Sequence, residues 1–163
     1  MSNPILVLTT GGTIDKQYFD ALSEFQIADS MVTTILRTAR VTQPFRVVEL
    51  MRKDSLELTD ADRAVVRAAI AEAPETAVVV THGTDTMVET AAALADLGGR
   101  TIVLVGALAP ARFAESDAAF NLGMAFACAQ AAGEGVYITM NGTVFPAGAV
   151  VKDRSVGAFV PKG

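Results

Sequence analysis

The sequence predicts an α/β fold with three layers, in which an open and mostly parallel sheet carries helices on both of its faces. Two observations lead to this prediction. Short apolar runs rich in valine, isoleucine and threonine alternate with longer segments of helical character, and 51% of the 163 residues are hydrophobic. Such alternation implies right-handed β-α-β connections, and therefore a parallel sheet whose strands are buried on both sides.

Five segments have the β-branched, apolar composition of buried strands. They are residues 5–9, 46–50, 77–81, 101–105 and 136–140. Four helices are predicted between and after them, over residues 30–40, 60–73, 86–97 and 117–132. Thr59 is a suitable cap for the second helix, and Pro74 ends it. Glycines follow the third and fourth helices, as expected just past a helix end.

Two segments depart from this alternation of strands and helices. Residues 15–29 are polar with scattered aromatic side chains, and they are long for a loop between strand and helix, so we expect a lid. The tail after Val144 contains two prolines and several glycines, which predicts an irregular end lying on the surface. We expect residues 1–163 to form a single domain, given that length.

The composition excludes several classes of function. With 13 basic and 18 acidic residues, the chain lacks the positive charge that nucleic acids or membrane surfaces attract. The single cysteine, Cys128, is expected in the core and permits no internal disulfide, which favours a reducing, cytoplasmic location. We see no signal peptide or transmembrane span in the sequence. His82 is the only histidine, so a zinc site built by the protein is not expected.

Two predicted strands end in unusual loops, in which a glycine directly precedes a threonine. Gly12-Thr13 follows the first strand, and Gly83-Thr84 follows the third. Ligands bind beyond the carboxyl ends of parallel strands, and a glycine lets the backbone turn sharply there. Each loop would present a hydroxyl together with backbone N–H groups, which is what an acyl-transfer site needs. Either loop alone could equally be a tight turn whose threonine caps a helix.

The two loops together resemble the bacterial-type L-asparaginase family, in its N-terminal domain. Residues 10–14 read Thr-Gly-Gly-Thr-Ile, and residues 81–87 read Thr-His-Gly-Thr-Asp-Thr-Met. Further similarity covers residues 105–107, 116–117, 120–122 and 140–144, followed by Lys152. The resemblance implies hydrolysis of L-asparagine to L-aspartate and ammonia, without a metal or other cofactor, in a homodimer or larger homo-oligomer.

The resemblance also implies catalytic roles. Thr13 would be the nucleophile, and Tyr18 would be the lid tyrosine near it, although it lies closer along the chain than is usual in the family. Thr84 would orient the water or the amide, and Lys152 beside it could accept a proton. The alternatives are that Tyr18 only packs the lid down and that Lys152 is a solvated surface lysine.

In substrate binding, the resemblance assigns Asp85 to the α-ammonium group and Ser55 to the α-carboxylate, although Ser55 could equally be an ordinary loop serine. Leu56 stands where the family usually has a polar residue. The remaining residues placed around the substrate are Gly12, Asp54, Gly83 and Ala107, the last through its backbone carbonyl.

The resemblance does not include the second, C-terminal domain that typical family members carry, and we expect that domain to be absent. In those members a neighbouring subunit completes the α-ammonium site. Two other functions therefore stay open. The chain could hydrolyse glutamine or another small amide, or it could be a non-catalytic module for amino-acid binding or assembly.

Overall fold

The computed structural model describes residues 3–163 and contains ten strands and four α-helices within them. The strands are β1 (Ile5–Gly11), β2 (Lys16–Phe19), β3 (Glu24–Ile27), β4 (Phe45–Lys53), β5 (Ala77–Thr81), β6 (Thr101–Val105), β7 (Gly135–Met140), β8 (Thr143–Pro146), β9 (Val150–Asp153) and β10 (Ala158–Pro161). The helices are α1 (Val32–Thr38), α2 (Asp60–Glu72), α3 (Met87–Leu94) and α4 (Ala118–Ala131).

Six strands form the central sheet, in the order β4-β1-β5-β6-β7-β8. The first five are parallel, and β8 turns back antiparallel to β7. Because the parallel strands point the same way, the loops that follow β4, β1, β5 and β6 meet at one edge of the sheet. All five predicted strands belong to this sheet.

Most of the core lies in two apolar clusters, one on each face of the sheet, and a small third cluster contains Ile14, Ala107 and Ala118. Successive strand residues point to opposite faces, so Leu6 and Val78 pack on one side, and Ile5 and Val79 on the other. Helices α2 and α3 cover the first face, while α1 and α4 cover the second. This arrangement confirms the predicted three-layer α/β fold.

Helix α2 begins where the sequence predicts. The Thr59 hydroxyl accepts a hydrogen bond from the Asp62 N–H at 3.2 Å, and the Asp62 carboxylate accepts one from the Thr59 N–H at 2.9 Å. This reciprocal pair satisfies two backbone donors at the helix start. Helices α1 and α3 are shorter than predicted. The Asp15 carboxylate accepts from the Met31 N–H and the Ser30 hydroxyl from the Val32 N–H, which sets the start of α1.

The prediction of an irregular surface tail after Val144 is wrong. That region forms strands β8, β9 and β10, and the last two pair as an antiparallel hairpin. Phe145, Val150 and Phe159 are buried in the core beneath α3. The prolines and glycines of this segment suggested irregular structure, but these three apolar side chains supply the burial that orders it.

Residues 15–29 also contain more regular structure than a loop. Strands β2 and β3 pair as a short antiparallel hairpin that includes Tyr18 opposite Phe25. The hairpin lies outside the central sheet. None of the helices in residues 3–163 has the length and apolar character needed to cross a lipid bilayer.

Candidate active site

The two Gly-Thr turns touch each other at the carboxyl edge of the sheet. Gly12 has φ +90°, and a Cβ atom placed on it would lie only 2.5 Å from the backbone nitrogen of Gly83. Only glycine fits such a conformation and such a close approach. Thr13, directly after this contact, is half-buried, and Thr84 is buried. Two threonines far apart in sequence are thereby brought to neighbouring loops.

A third loop packs against the second turn. A Cβ atom on Gly83 would lie 2.7 Å from the Ser55 hydroxyl oxygen. Ser55 follows β4 and is only 1% exposed. The Thr86 hydroxyl donates to the Ser55 carbonyl at 2.7 Å, which ties the loop after β4 to the loop after β5. Ser55 therefore lies beside the Gly83-Thr84 turn.

Lys152 reaches this edge from β9. Its Nζ donates to the Thr84 hydroxyl oxygen at 2.7 Å and to Asp85 Oδ1 at 2.8 Å. An ammonium group can only donate, so Thr84 accepts this bond and its own hydrogen can point elsewhere. The Lys152 side chain is 18% exposed, which does not fit the alternative of a solvated surface lysine.

A second ion pair lies close to the first. Lys16 of β2 and Asp54 approach to 3.2 Å, and the Asp54 carboxylate also accepts from the Leu56 N–H at 3.0 Å. Burial alone would raise the pKa of Asp54, but these two bonds and the charges of Lys16 and Lys152 outweigh it and hold the pKa below its usual value. The influence of Lys152 indicates that the two ion pairs belong to one electrostatic environment.

His82 is buried beneath the Gly83-Thr84 turn. Because a carbonyl oxygen only accepts, its Nδ1 donates to the Gly83 carbonyl at 2.6 Å, which leaves Nε2 to accept from the Thr90 hydroxyl at 2.7 Å. Burial lowers the pKa of His82 to about 4, so the ring is neutral at pH 7. These contacts hold the turn in place, in line with a structural role.

The loop after β6 is fixed by side chains at the start of α4. Asp117 accepts from the N–H groups of Leu108 and Ala109 at 2.9 Å and 3.0 Å. Asn121 donates to the Gly106 carbonyl at 3.0 Å. Ala107, between these hydrogen-bonded residues, is 1% exposed and follows β6 at the sheet edge.

Tyr18 lies on the outer hairpin and is 45% exposed. Its ring packs 5.2 Å from that of Phe25, which in turn lies 5.9 Å from Phe113 in the loop after β6. Among the hydrogen bonds of residues 3–163, none involves the Tyr18 hydroxyl. The structure therefore places Tyr18 in an aromatic contact and does not bring it into a bond with Thr13.

Sequence reasoning missed Lys16, Arg112 and Arg154. Arg112 donates to the Asp15 carbonyl at 3.0 Å and to the Asp29 carbonyl at 2.6 Å, which joins the two ends of the hairpin segment. Arg154 donates to Asp85 Oδ1 at 3.2 Å. No motif marks these positions, since each depends on loops that meet only in the folded chain. Residues 3–163 contain no group of three or more His, Cys, Asp or Glu side chains placed to hold a metal ion.

The chain is similar to known asparaginases in both sequence and structure. A glutaminase-asparaginase of Acinetobacter glutaminasificans is 40% identical over 84 residues, which are 48% of this chain and 25% of that protein. The thermostable L-asparaginase from Thermococcus kodakarensis superposes with a TM-score of 0.83 at 27% identity, over 97% of this chain and 51% of that one.

Two further solved L-asparaginase structures superpose on this chain. L-asparaginase I from Vibrio cholerae has a TM-score of 0.83 at 25% identity, over 99% of this chain and 52% of that one. A probable cytoplasmic L-asparaginase from Campylobacter jejuni has a TM-score of 0.79 at 27% identity, over 98% and 52%. The chain thus spans about half the length of these structures. The model of the asparaginase N-terminal domain matches residues 4–159, and the chain therefore belongs to the asparaginase family.

Proposed function

We propose that this protein is an amidohydrolase that converts L-asparagine to L-aspartate and ammonia, with Thr13 as the nucleophile. The observation that carries this proposal is the contact between Gly12 and Gly83, because it brings the two Gly-Thr turns together at the ligand-binding edge of the sheet. Family membership and the resemblance to L-asparaginases support the same reaction.

In the first half-reaction, the Thr13 hydroxyl attacks the side-chain amide carbon. A threonine hydroxyl is a weak nucleophile until a base takes its proton, and Tyr18 is the candidate for this step once the hairpin closes over the substrate. Backbone N–H groups of the two turns stabilise the oxyanion. The C–N bond breaks, the nitrogen takes up a proton and leaves as ammonia, and an ester to Thr13 remains.

In the second half-reaction, water attacks this ester, and L-aspartate and the free Thr13 hydroxyl are released. Thr84 orients the water. Lys152 accepts the proton of this water after giving up one of its own, and that proton then passes to the departing Thr13 oxygen. The short bond from Lys152 to Thr84 supports this pairing, since it leaves the Thr84 hydrogen free to point toward a ligand.

Three further residues would hold the substrate. Asp85 binds the α-ammonium group, Ser55 binds the α-carboxylate, and the Ala107 carbonyl lies near the leaving amide. Asp54 supports this arrangement indirectly, because it keeps Lys16 next to the loop that contains Ser55. The position of Ser55 against Gly83 favours a substrate role over that of an ordinary loop serine.

The second candidate is hydrolysis of glutamine or another small amide by the same residues. It is favoured by the similarity to a glutaminase-asparaginase and by Leu56, which is 67% exposed and offers no polar group to the substrate. A non-catalytic amino-acid-binding module is less well supported, because binding alone would not require the Lys152–Thr84 bond.

The test is ammonia release from asparagine, glutamine and a panel of small amides, with the wild type, Thr13→Ala and Thr13→Ser. We expect Thr13→Ala to reduce turnover at least about a thousandfold, while Thr13→Ser keeps a hydroxyl and retains measurable activity. Turnover of another amide alone would keep the nucleophile and change the substrate. No release from any amide by folded protein would favour the binding module.

We also propose a cytoplasmic homo-oligomer, at least a dimer. The similarity to a probable cytoplasmic L-asparaginase and the single cysteine support the location. Exposed apolar side chains, including Leu108, Phe120 and Val144, support self-association. Sedimentation showing only monomer at micromolar concentration would remove the oligomer from the proposal.

A further inference from the structure

Asp85 is already paired with two cations, and both bind the same oxygen. Lys152 donates to Oδ1 at 2.8 Å and Arg154 donates to it at 3.2 Å. Lys152 is held inside the site by Thr84, whereas the Arg154 side chain is 67% exposed and reaches in from solvent. The negative charge of Asp85 is therefore shared before any substrate arrives.

The surroundings do not restore an excess of negative charge. A cavity of about 280 Å³ opens beside Asp85, and its charged lining consists of Asp85, Glu89, Lys152 and Arg154, two acids and two bases. The neighbouring Lys16–Asp54 pair is also balanced. The charges of this lining cancel, and within residues 3–163 both of its cations pair with Asp85, whereas the exposed Glu89 forms no ion pair.

We propose that Arg154 is a specificity-determining residue that competes with the substrate α-ammonium for Asp85. An ammonium bound at Asp85 either displaces the guanidinium or stays close to a like charge, and both weaken its binding. An amide of a dicarboxylic acid that lacks the α-ammonium suffers neither effect. Arg154 therefore lowers the preference of the site for asparagine over such amide acids. This inference rests on the proposed function, in which Asp85 faces the α-ammonium.

The test compares kcat/KM for L-asparagine and for succinamate, which is asparagine without its amino group. Arg154→Gln removes the charge, Arg154→Lys keeps it, and Arg37→Gln makes the same charge change on the exposed part of α1. For Arg154→Gln we expect the ratio of asparagine to succinamate to rise roughly two- to fivefold, the range of an exposed ion pair, through a lower KM for asparagine. Arg154→Lys and Arg37→Gln should keep the wild-type ratio.

An unchanged ratio in Arg154→Gln, or an equal rise in Arg37→Gln, would overturn the role of Arg154 and leave the proposed function standing. If neither amide is hydrolysed by the wild type, the proposed function fails, and calorimetry with aspartate and succinate then decides the inference. In that case a selective gain in aspartate affinity in Arg154→Gln would support it, and equal affinities in both proteins would contradict it.

Discussion

The imidazole of His82 shows how burial fixes a protonation state at a single residue. Its ring is fully enclosed and neutral, with its two nitrogens bonded to Gly83 and Thr90. Arg63 donates to the same Thr90 hydroxyl at 3.1 Å, so the hydroxyl hydrogen is directed at His82. A protonated ring would be a charge buried away from water and would lie near the Arg63 charge. The turn that contains Thr84 is therefore sensitive to acid.

We expect the free energy of unfolding to decrease as the pH is lowered from 6.5 to about 4, the pKa values of this histidine in the unfolded and folded chain. The pKa of His82 is lowered from 6.5 to about 4 on folding, so the unfolded chain takes up the proton first. Its contribution is fully present above pH 6.5 and is lost as the pH falls through about 4, up to about 3 kcal/mol in total. Urea unfolding across this range measures it.

The matched variant is His82→Gln, which has no titrating group and should lose this dependence. Asp15 acts in the opposite direction, because burial raises its pKa and its protonation favours the folded state as the pH falls. The difference between wild type and variant isolates the histidine, since it is the only one in the chain. Equal pH profiles for the two proteins would contradict the assignment.

Among the elements, the hairpin of β2 and β3 depends on contacts from the loop after β6. Arg112 binds the backbone carbonyls at both ends of the hairpin segment, and Phe113 packs on Phe25 at its face. Hydrogen bonds from charged donors of this kind are worth about 1.5 to 3 kcal/mol each. The hairpin that contains Tyr18 is therefore held by a part of the chain about a hundred residues away.

Arg112→Ala is expected to release the hairpin. Limited proteolysis within residues 16–27 should become about tenfold faster or more, and the KM for the amide should rise because the lid is open more often. The exposed Arg37 on α1 provides the control, as Arg37→Ala removes the same charge without touching the hairpin. Identical cleavage rates for wild type and Arg112→Ala would show that the hairpin is held by other contacts.

The central strands were predictable because their signal is local. Each of the five parallel strands contains β-branched apolar residues, and these strands, β1, β4, β5, β6 and β7, lie in the predicted places. The hairpin at Lys16 and the strands after Val144 were missed because their order comes from distant partners: Asp15 and Asp29 meet Arg112, while Phe159 meets the core. A pattern confined to a few residues cannot show such partners.

Across the whole molecule, the last strands complete both the core and the site. In the β9–β10 pair, Phe159 lies opposite Lys152. Phe159 is 3% exposed and packs into the cluster beneath α3, whereas Lys152 extends to Thr84. Stability and the placement of the Lys152 ammonium beside Thr84 are thus linked through one hairpin.

Phe159→Ala should reduce both properties. The cavity left in the core is expected to cost about 3 to 5 kcal/mol of unfolding free energy. Ammonia release by the fraction that is still folded should also fall. The β9–β10 pair that positions Lys152 would be packed less firmly on the core without the Phe159 ring. Val156→Ala in the same hairpin, at a position 65% exposed, should change either quantity little. Full activity in folded Phe159→Ala protein would contradict the link between the core packing of Phe159 and the placement of Lys152.

The site was predictable at the level of its motifs and not of its surroundings. The two Gly-Thr turns and Lys152 could be proposed from sequence, and the structure brings Thr84, Asp85 and Lys152 within bonding distance. The roles assigned to these residues remain predictions. Arg154 could not be predicted from the sequence, because its ion pair with Asp85 forms only in the folded chain.

The backbone contact between Gly12 and Gly83 has a consequence for directed evolution of this protein. Any side chain at position 12 would collide with the opposite loop, and any at position 83 with Ser55. Libraries that randomise these two positions would consist mostly of inactive variants, because nearly every substitution disrupts the contact between the loops. Randomisation is better applied to Leu56 and Arg154, whose side chains are 67% exposed and can change without such a collision.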